Sequence, residues 1–436
     1  MPELGRAVQS AIYRAGSFGR RPRVPTDGSA LEGAARAVMS KRSFAYVAGA
    51  AGGEATARAN RAAFDRWRVH PRVLVDALER DLGVDLLGRR HEVPFLLSPI
   101  GVLSAAHDDA DLAMARAARQ QGVTPVLSTQ ASVPMEEVAA ELGGTGHWYQ
   151  LYWSRDDELT TSLVRRAEAC GSEALVVTLD TAYLGWRPRD LDLGSLPFAR
   201  GEGIAQYTSD PVFQRLVAAR LDAARSAAEA GEEAEPQPRP TPAAVRTLLS
   251  LSRNHPGDLR GNLSSPEPRA AVETFLEVFS RPSLTWEDLP RLRAMTDLPV
   301  VLKGVLHPDD ARRAVDAGVD GVWVSNHGGR QVDRSVAALD ALPGVVEAVR
   351  GAGSGLPVVL DSGVRSGADA FVALALGATA VGIGRPYVYG LALAGAEGAS
   401  EVLRNLAAEL DLTMALTGCR TLADVTAERL AHAPAP

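Results

Sequence analysis

The chain is poor in cysteine. Its two, Cys170 and Cys419, are too few for a disulfide framework and lack metal-ligand spacing. Reduced thiols, and with them a cytoplasmic setting, are the expectation. An excess of positive charge is also missing. A net charge of −7 and a pI near 5.7 argue against nucleic acid or an anionic membrane as the main partner. No stretch approaches the roughly 20 apolar residues of a membrane span. The opening segment MPELGRAVQSAIYRAGSFGRR has no apolar centre of the kind a secretion signal needs. No His, Asp or Glu cluster has metal spacing, so no metal is expected. No GxGxxG follows the first strand-like run, which weakens a dinucleotide-binding fold. What is present is ordinary globular material: 46% hydrophobic residues supply a core for one large α/β domain or two smaller ones.

Strand-like apolar runs alternate with helical periods. The runs are Phe95–Ile100 (FLLSPI), Thr124–Ser128 (TPVLS), Trp148–Leu151 (WYQL), Leu175–Asp180 (LVVTLD), Pro299–Lys303 (PVVLK), Gly321–Ser325, Pro357–Asp361 (PVVLD) and Ala380–Ile383 (AVGI). Each is β-branched-rich and too short for a helix. Helical patterns such as Asp108–Gln120, Glu136–Leu142 and Asp309–Ala317 separate them, the last opening after Pro308, a good first-turn residue. Eight such units predict a (β/α)8 TIM barrel in a single domain over 1–436. An open doubly wound sheet shares the alternation, and periodicity alone does not separate the two. Residues 1–90 precede the barrel as a helical, capping segment. Residues 190–284 interrupt it between the fourth and fifth strands. Such a length without barrel elements predicts a lid, partly flexible. Within it Arg220–Ala244, with GEEAEPQPRPTPAA, reads as an exposed helix followed by an extended linker. LPFARGEGIAQYTSDPVF carries apolar side chains that would cover an active-site mouth.

Polar residues collect where the strands end: Ser98, Ser128, Gln150, Tyr152, Thr178, Asp180, Lys303, Ser325 to Gln331, Asp361 to Arg365, and Gly384 with Arg385. In a barrel these ends meet on one face. Any one alone is more simply a capped strand end. Lys303, following an apolar run, needs an anionic or acceptor partner. The segment Ser325–Asp333 (SNHGGRQVD) concentrates most chemistry in fewest residues. Its glycines allow backbone to approach a ligand closely. His327 titrates near neutrality and suits a proton-abstracting base. Arg330 offers a planar fork for a carboxylate. Together they describe a site that removes a proton from a small carboxylic acid, although Asn, Gly and Arg are also common turn residues. DSGVRSGAD (Asp361–Asp369) and GIGRP (Gly382–Pro386) put Arg365 and Arg385 on the loops after strands seven and eight, the recurrent phosphate site of the barrel. That pattern specifies a phosphate-bearing ligand without saying which one. The other seven histidines read as structural or solvated.

With LKGVLHPDDA added, these motifs resemble the FMN-dependent α-hydroxy-acid oxidases and dehydrogenases, over a span from about Phe44 to Cys419. SPIGVLS, LSTQAS, WYQLYW, LDTAYLGWRPRDLD and LPFARGEGIAQYTSDPVF are similar, more narrowly, to the lactate 2-monooxygenase-type members. The resemblance implies non-covalent FMN in a TIM barrel. It implies oxidation of an L-2-hydroxy acid, L-lactate first, with oxygen as acceptor and oxidative decarboxylation to acetate, CO2 and water. His327 would be the base and Asp180 would hold its imidazole. Arg330 and Arg187 would clamp the substrate carboxylate with Tyr46, and Tyr152 would meet the substrate oxygen. Lys303 would lie by the flavin ring, with the backbone of Pro99, Ile100 and Gly101 against that ring. Ser128, Gln150, Thr178 and Ser325 would reach the flavin or its ribityl chain. Gly363, Arg365, Gly384 and Arg385 would hold the phosphate, with Asp361 among the cofactor contacts. A homo-oligomer, tetramer or octamer, is implied as well.

The chain also departs from the family. Gln130 stands where plant glycolate-oxidising members carry tryptophan, so the pocket differs in shape there. Gly101 is expected to leave space for oxygen that a larger residue would fill. By pattern alone Tyr46 reads equally as a core tyrosine and Asp180 as a turn cap. Other readings are a simple L-2-hydroxy-acid oxidase giving keto acid and hydrogen peroxide, or a hydroxy-acid-oxidising tailoring enzyme. A different class is a non-redox phosphate-binding barrel isomerase or an inactive flavin-binding module. The joint presence of base, carboxylate clamp and flavin lysine favours the redox enzyme.

Overall fold

The computed structural model describes residues 3–230 and 241–433. At its centre eight parallel strands close into a barrel: β1 (Phe95–Leu97), β2 (Thr124–Leu127), β3 (His147–Leu151), β4 (Ser172–Thr178), β5 (Val300–Val305), β6 (Gly321–Val324), β7 (Val358–Leu360) and β8 (Ala380–Ile383). Val381 of β8 pairs with Phe95 of β1 and completes the ring, so the open-sheet alternative is excluded. These strands are buried on both faces, which is why they read as unbroken apolar runs. One set of side chains fills the barrel: Leu96, Val126, Trp148, Val176, Val301, Trp323 and Val359. The alternate set packs under the surrounding helices.

A small hairpin, Val84–Leu86 with Arg89–His91, turns through Leu87 and Gly88, both at positive φ as a two-residue turn requires. It inserts Leu86 into the barrel's inner layer and closes the end where the strands begin. His91 there lies 3.1 Å from the Thr124 hydroxyl at the start of β2.

The polar ends of several expected strands leave the ladder. Ser98 to Ile100, Asp180 and Asp361 are loop residues, and β5 continues past Lys303 through a register shift at Gly304 (φ 105°). The site residues therefore sit just beyond the strands.

Residues before the barrel form helices Leu4–Gly16, Leu31–Val38, Lys41–Ala48 and Ala55–Asp65. Trp67–Val69 pairs antiparallel with Leu430–His432 and ties the two ends of the described chain together. The segment between β4 and β5 folds into helices, among them Pro211–Glu229, Pro242–Asn254 and Glu267–Val278. Phe198, Tyr207, Phe213, Phe275 and Phe279 stack into one aromatic cluster within it. Buried Asp210 caps Pro211–Glu229 and receives Ser162 (2.8 Å) and Arg166 (3.1 Å), docking the segment on helix Asp157–Ala169. The linker reading of GEEAEPQPRPTPAA falls mostly on residues 231–240, outside the described residues. Its last residues already belong to helix Pro242–Asn254. Among the described residues no helix is long and apolar enough to cross a membrane, and no His/Cys/Asp/Glu group could hold a metal ion.

Candidate active site

The strand ends converge on one cavity of about 970 Å³, its mouth included. Tyr46, Pro99, Ile100, Gly101, Tyr152, Arg187, Lys303, His327, Arg330, Asp361, Gly363, Arg365, Gly384 and Arg385 all line it. Ser128, Gln150, Thr178 and Ser325 do not. They are buried and joined by hydrogen bonds: Ser128 donates to Gln150 (2.8 Å), Gln150 to Thr178 (2.9 Å), and Lys303 to Ser325 (2.8 Å). They form a polar layer that supports the lining residues.

The base candidate sits in a strained turn. His327, Gly328 and Gly329 all have positive φ, unfavourable for histidine but required by the tight turn after β6. Ser325 and Ser362 hold the turn, accepting from the His327 (3.1 Å) and Gly328 (2.9 Å) amides. His327 Nδ1 lies 3.0 Å from Asp180 Oδ1, leaving the other ring nitrogen for chemistry. Burial pushes the His327 pKa below its ordinary value, opposed by Asp180. Burial would push the Asp180 carboxyl up, but His327 and Lys303 hold it below the usual range. The pair therefore rests as a neutral imidazole against a carboxylate, the state a base needs.

Four arginines face the cavity, and none forms an ion pair with a carboxylate among the described residues. Burial, with the neighbouring Arg330, pushes Arg187 down to about 9. Burial, with Arg330 and Arg365, pushes Arg385 down to about 10. Their guanidinium groups are held by carbonyls instead. Arg330 donates to the Tyr46 and Gly49 carbonyls, and Arg385 to those of Val47 (3.0 Å), Gly49 (3.0 Å) and Gly328 (2.9 Å). The acceptors at 46 to 49 close helix Lys41–Ala48, whose last carbonyls lack helical partners and favour cations. Arg187 donates to the Gln331 side chain (2.8 Å). Buried cations without an ion-pair partner favour anions in the cavity they share. Arg365, Arg385 and glycine-bordered backbone suit a phosphate dianion, and Arg187 and Arg330, beside His327, suit a carboxylate. Arg330 and Arg385 adjoin, sharing the Gly49 carbonyl. Lys303 pairs with Asp361 at 3.1 Å.

Burial raises the phenols of Tyr46 and Tyr152, the latter to about 12, so each stays a hydrogen-bond donor. At Gly101 a Cβ would lie 2.8 Å from Gln130 Cβ and 3.0 Å from the Gln130 carbonyl oxygen, so a larger residue would be crowded there. Phe198 from the segment after β4 also reaches the cavity and meets Tyr46 edge-on at 6.4 Å.

Several supporting contacts carry no signal in the sequence. Asn60 and Asn326 exchange reciprocal amide hydrogen bonds (2.8 and 2.7 Å), clamping helix Ala55–Asp65 to the His327 turn. Asp333 accepts from Gly53 (2.8 Å) and Thr56 (3.2 Å) at the other end of that turn. Asp369 accepts from the Arg365 amide (2.8 Å) and from Arg61 (2.6 Å), which fixes the loop that carries Arg365. Asn60 and Arg61 sit in an Ala- and Arg-rich helix that reads as surface, and only the capping pattern Ser366–Asp369 was open to detection.

The FMN-dependent dehydrogenase family model matches residues 35–432. The chain is 40% identical to the FMN-dependent alpha-hydroxy acid dehydrogenase qulF of Penicillium citrinum, covering 96% of this chain and 94% of that one. It is 37% identical to an L-lactate oxidase of Lysinibacillus sphaericus, over 87% of this chain and 86% of the other. The crystal structure of mandelate oxidase with (S)-4-hydroxymandelic acid superimposes with a TM-score of 0.73 at 37% identity, covering 93% of this chain and 98% of that one. The cation-lined cavity, the matched span and these likenesses agree: this chain belongs to the FMN-dependent dehydrogenase family, and it is an FMN-dependent oxidoreductase of α-hydroxy acids.

Proposed function

We propose that the substrate is a small L-2-hydroxy acid, L-lactate first, with dioxygen as electron acceptor and acetate as the carbon product. One observation carries the hydroxy-acid reading. A neutral His327 backed by Asp180 shares a cavity with Arg187 and Arg330, two cations that lack a carboxylate. Arg365, Arg385 and the backbone at Gly363 and Gly384 would hold the FMN phosphate. Lys303, the backbone of Pro99 to Gly101, and the layer of Ser128, Gln150, Thr178 and Ser325 would face or support its ring and chain. When bound, FMN supplies a two-electron acceptor for the substrate's Cα–H and a donor to dioxygen.

The chain's own residues do the rest. Arg330, pinned by two carbonyls, presents its fork to the substrate carboxylate, and Arg187 adds a second cation. Tyr46 donates to the same carboxylate. That orientation points the reacting carbon and its hydroxyl toward His327. His327 takes the proton lost by the substrate, and Asp180 stabilises the imidazolium that forms. Tyr152 donates to the oxygen that becomes the ketone. Lys303 adds fixed positive charge where negative charge develops.

The acetate outcome rests on retention. Phe198 lines the cavity beside Tyr46 and is backed by Phe275, and a roof formed there would slow escape of the keto acid. Pyruvate kept with hydrogen peroxide reacts to acetate, CO2 and water. The roof supports this product, and the L-lactate oxidase likeness supports the substrate. Homo-oligomeric assembly and a cytoplasmic setting belong to the same reading. Exposed Tyr183 and Trp186 offer apolar surface for the first, and two free cysteines accord with the second. The test is a product count by NMR in air from L-lactate, with and without catalase. Acetate unaffected by catalase supports retention. Stoichiometric pyruvate with catalase present identifies an ordinary oxidase.

A further inference from the structure

We propose that the N-terminal arm, residues 23–32, is part of the FMN site, with Gly28 seated on the phosphate loop and Glu32 serving as counter-charge to Arg365 and Arg385. The inference rests on the placement of the FMN phosphate at those two arginines.

The arm is anchored at both ends of its crossing. Arg23 bonds through its amide to Glu401 (2.9 Å) and through its guanidinium to Glu397 (2.8 Å), both on the helix that follows β8. Val24 and Leu31 are buried. Tyr389, on the same helix as Arg385, donates to Glu32 at 3.2 Å. Between these anchors the chain lies directly on the loop that carries Arg365. A Cβ on Gly28 would overlap the Arg365 carbonyl oxygen and lie only 2.8 Å from its carbonyl carbon. Only glycine permits that approach. The Arg365 backbone thus meets Gly28 at its carbonyl and is held by Asp369 at its amide, with Arg61 bonded to Asp369.

Glu32 supplies the electrostatic half. Burial lowers the pKa of both guanidinium groups; Tyr389 opposes it most at each, and the Glu32 carboxylate bonded to Tyr389 opposes it further. It forms no ion pair with either, so it offsets part of the cost of their burial and leaves their hydrogen-bonding faces open. A phosphate dianion arriving at the same arginines meets Glu32 as a like charge. Glu32 thereby loosens the phosphate it sits beside, while Gly28 lets the arm close over the loop. Both effects act on the phosphate and not on the ring, which separates them from a general effect on folding.

The experiment measures flavin release on dilution of the full-length protein loaded with FMN or exchanged to riboflavin, which lacks the phosphate. Wild type should release riboflavin far faster than FMN. Gly28→Ala should speed FMN release roughly tenfold or more, the scale of one lost charge-assisted contact expressed in the off-rate. Riboflavin release from that variant should match wild type. Glu32→Gln keeps the acceptor for Tyr389, folds without new bulk, and should slow FMN release several-fold with riboflavin unmoved. Equal changes for both flavins, or unchanged FMN release in Glu32→Gln, would overturn the role of the arm. Wild type that holds riboflavin as firmly as FMN would instead remove the phosphate placement itself.

Discussion

His327 occupies a backbone conformation that costs energy for any residue with a Cβ, and four neighbours make that conformation the stable one. Ser325, Ser362 and the two following glycines fix the turn, and Asp180 fixes the ring. The base must be unprotonated to act. Because burial holds its pKa below the ordinary value of about 6.5, the midpoint of the acid limb of kcat/KM should lie below that value. Asp180 is the largest influence raising that pKa, so Asp180→Asn should move the acid limb lower still while the plateau drops. A limb at or above the ordinary histidine value in either protein would contradict the assignment. Arg330→Lys keeps the charge and loses the fork, so kcat/KM for the hydroxy acid should fall by roughly tenfold or more. Wild-type kinetics would place the carboxylate elsewhere. These residues were legible because base, fork and glycines stand together in nine residues. The orientation of each was not, since Ser362 and Asn326 are ordinary loop residues until the barrel closes.

At the scale of elements, the site is an agreement between the barrel and a segment outside it. Helix Lys41–Ala48 directs its carbonyls at Arg330 and Arg385, and helix Ala55–Asp65 pins the His327 turn through Asn60. Asn60→Ala leaves buried Asn326 without its reciprocal partner, at about 1–3 kcal/mol. The variant should keep FMN, unfold earlier, and show slowed flavin reduction. Reduction at the wild-type rate would show that the amide pair serves folding alone. The eight strands were readable because parallel strands buried on both faces must be apolar throughout. The segment between β4 and β5 was harder to read. Its helices pack on one another around Phe275, so its pattern answers to a local core and not to the barrel's period. The neighbour that would crowd a side chain at Gly101, Gln130, lies on the next loop.

Across the whole molecule the two ends of the barrel do different work, chemistry where the strands end and closure where they begin. The closed end carries a liability in acid. His147 is buried with its Nε2 unpartnered, and burial pushes its pKa down to about 4. The unfolded chain binds a proton there at about 6.5, the folded one only near 4. Stability contributed by the neutral ring is thus complete above pH 6.5 and is lost as pH falls toward 4, by at most about 3 kcal/mol. His147→Leu should lose less stability than wild type between pH 7 and pH 5 in denaturant melts, and equal losses would contradict this account. The central claim is that one cavity joins FMN to a histidine base and a carboxylate clamp. Its most direct test is an anaerobic stopped-flow mix of the yellow holoenzyme with L-lactate. The flavin absorbance of wild type should bleach fully. His327→Gln, holding the same amount of FMN, should bleach roughly 10²–10⁴-fold more slowly. Equal bleaching rates in the two proteins would contradict the account.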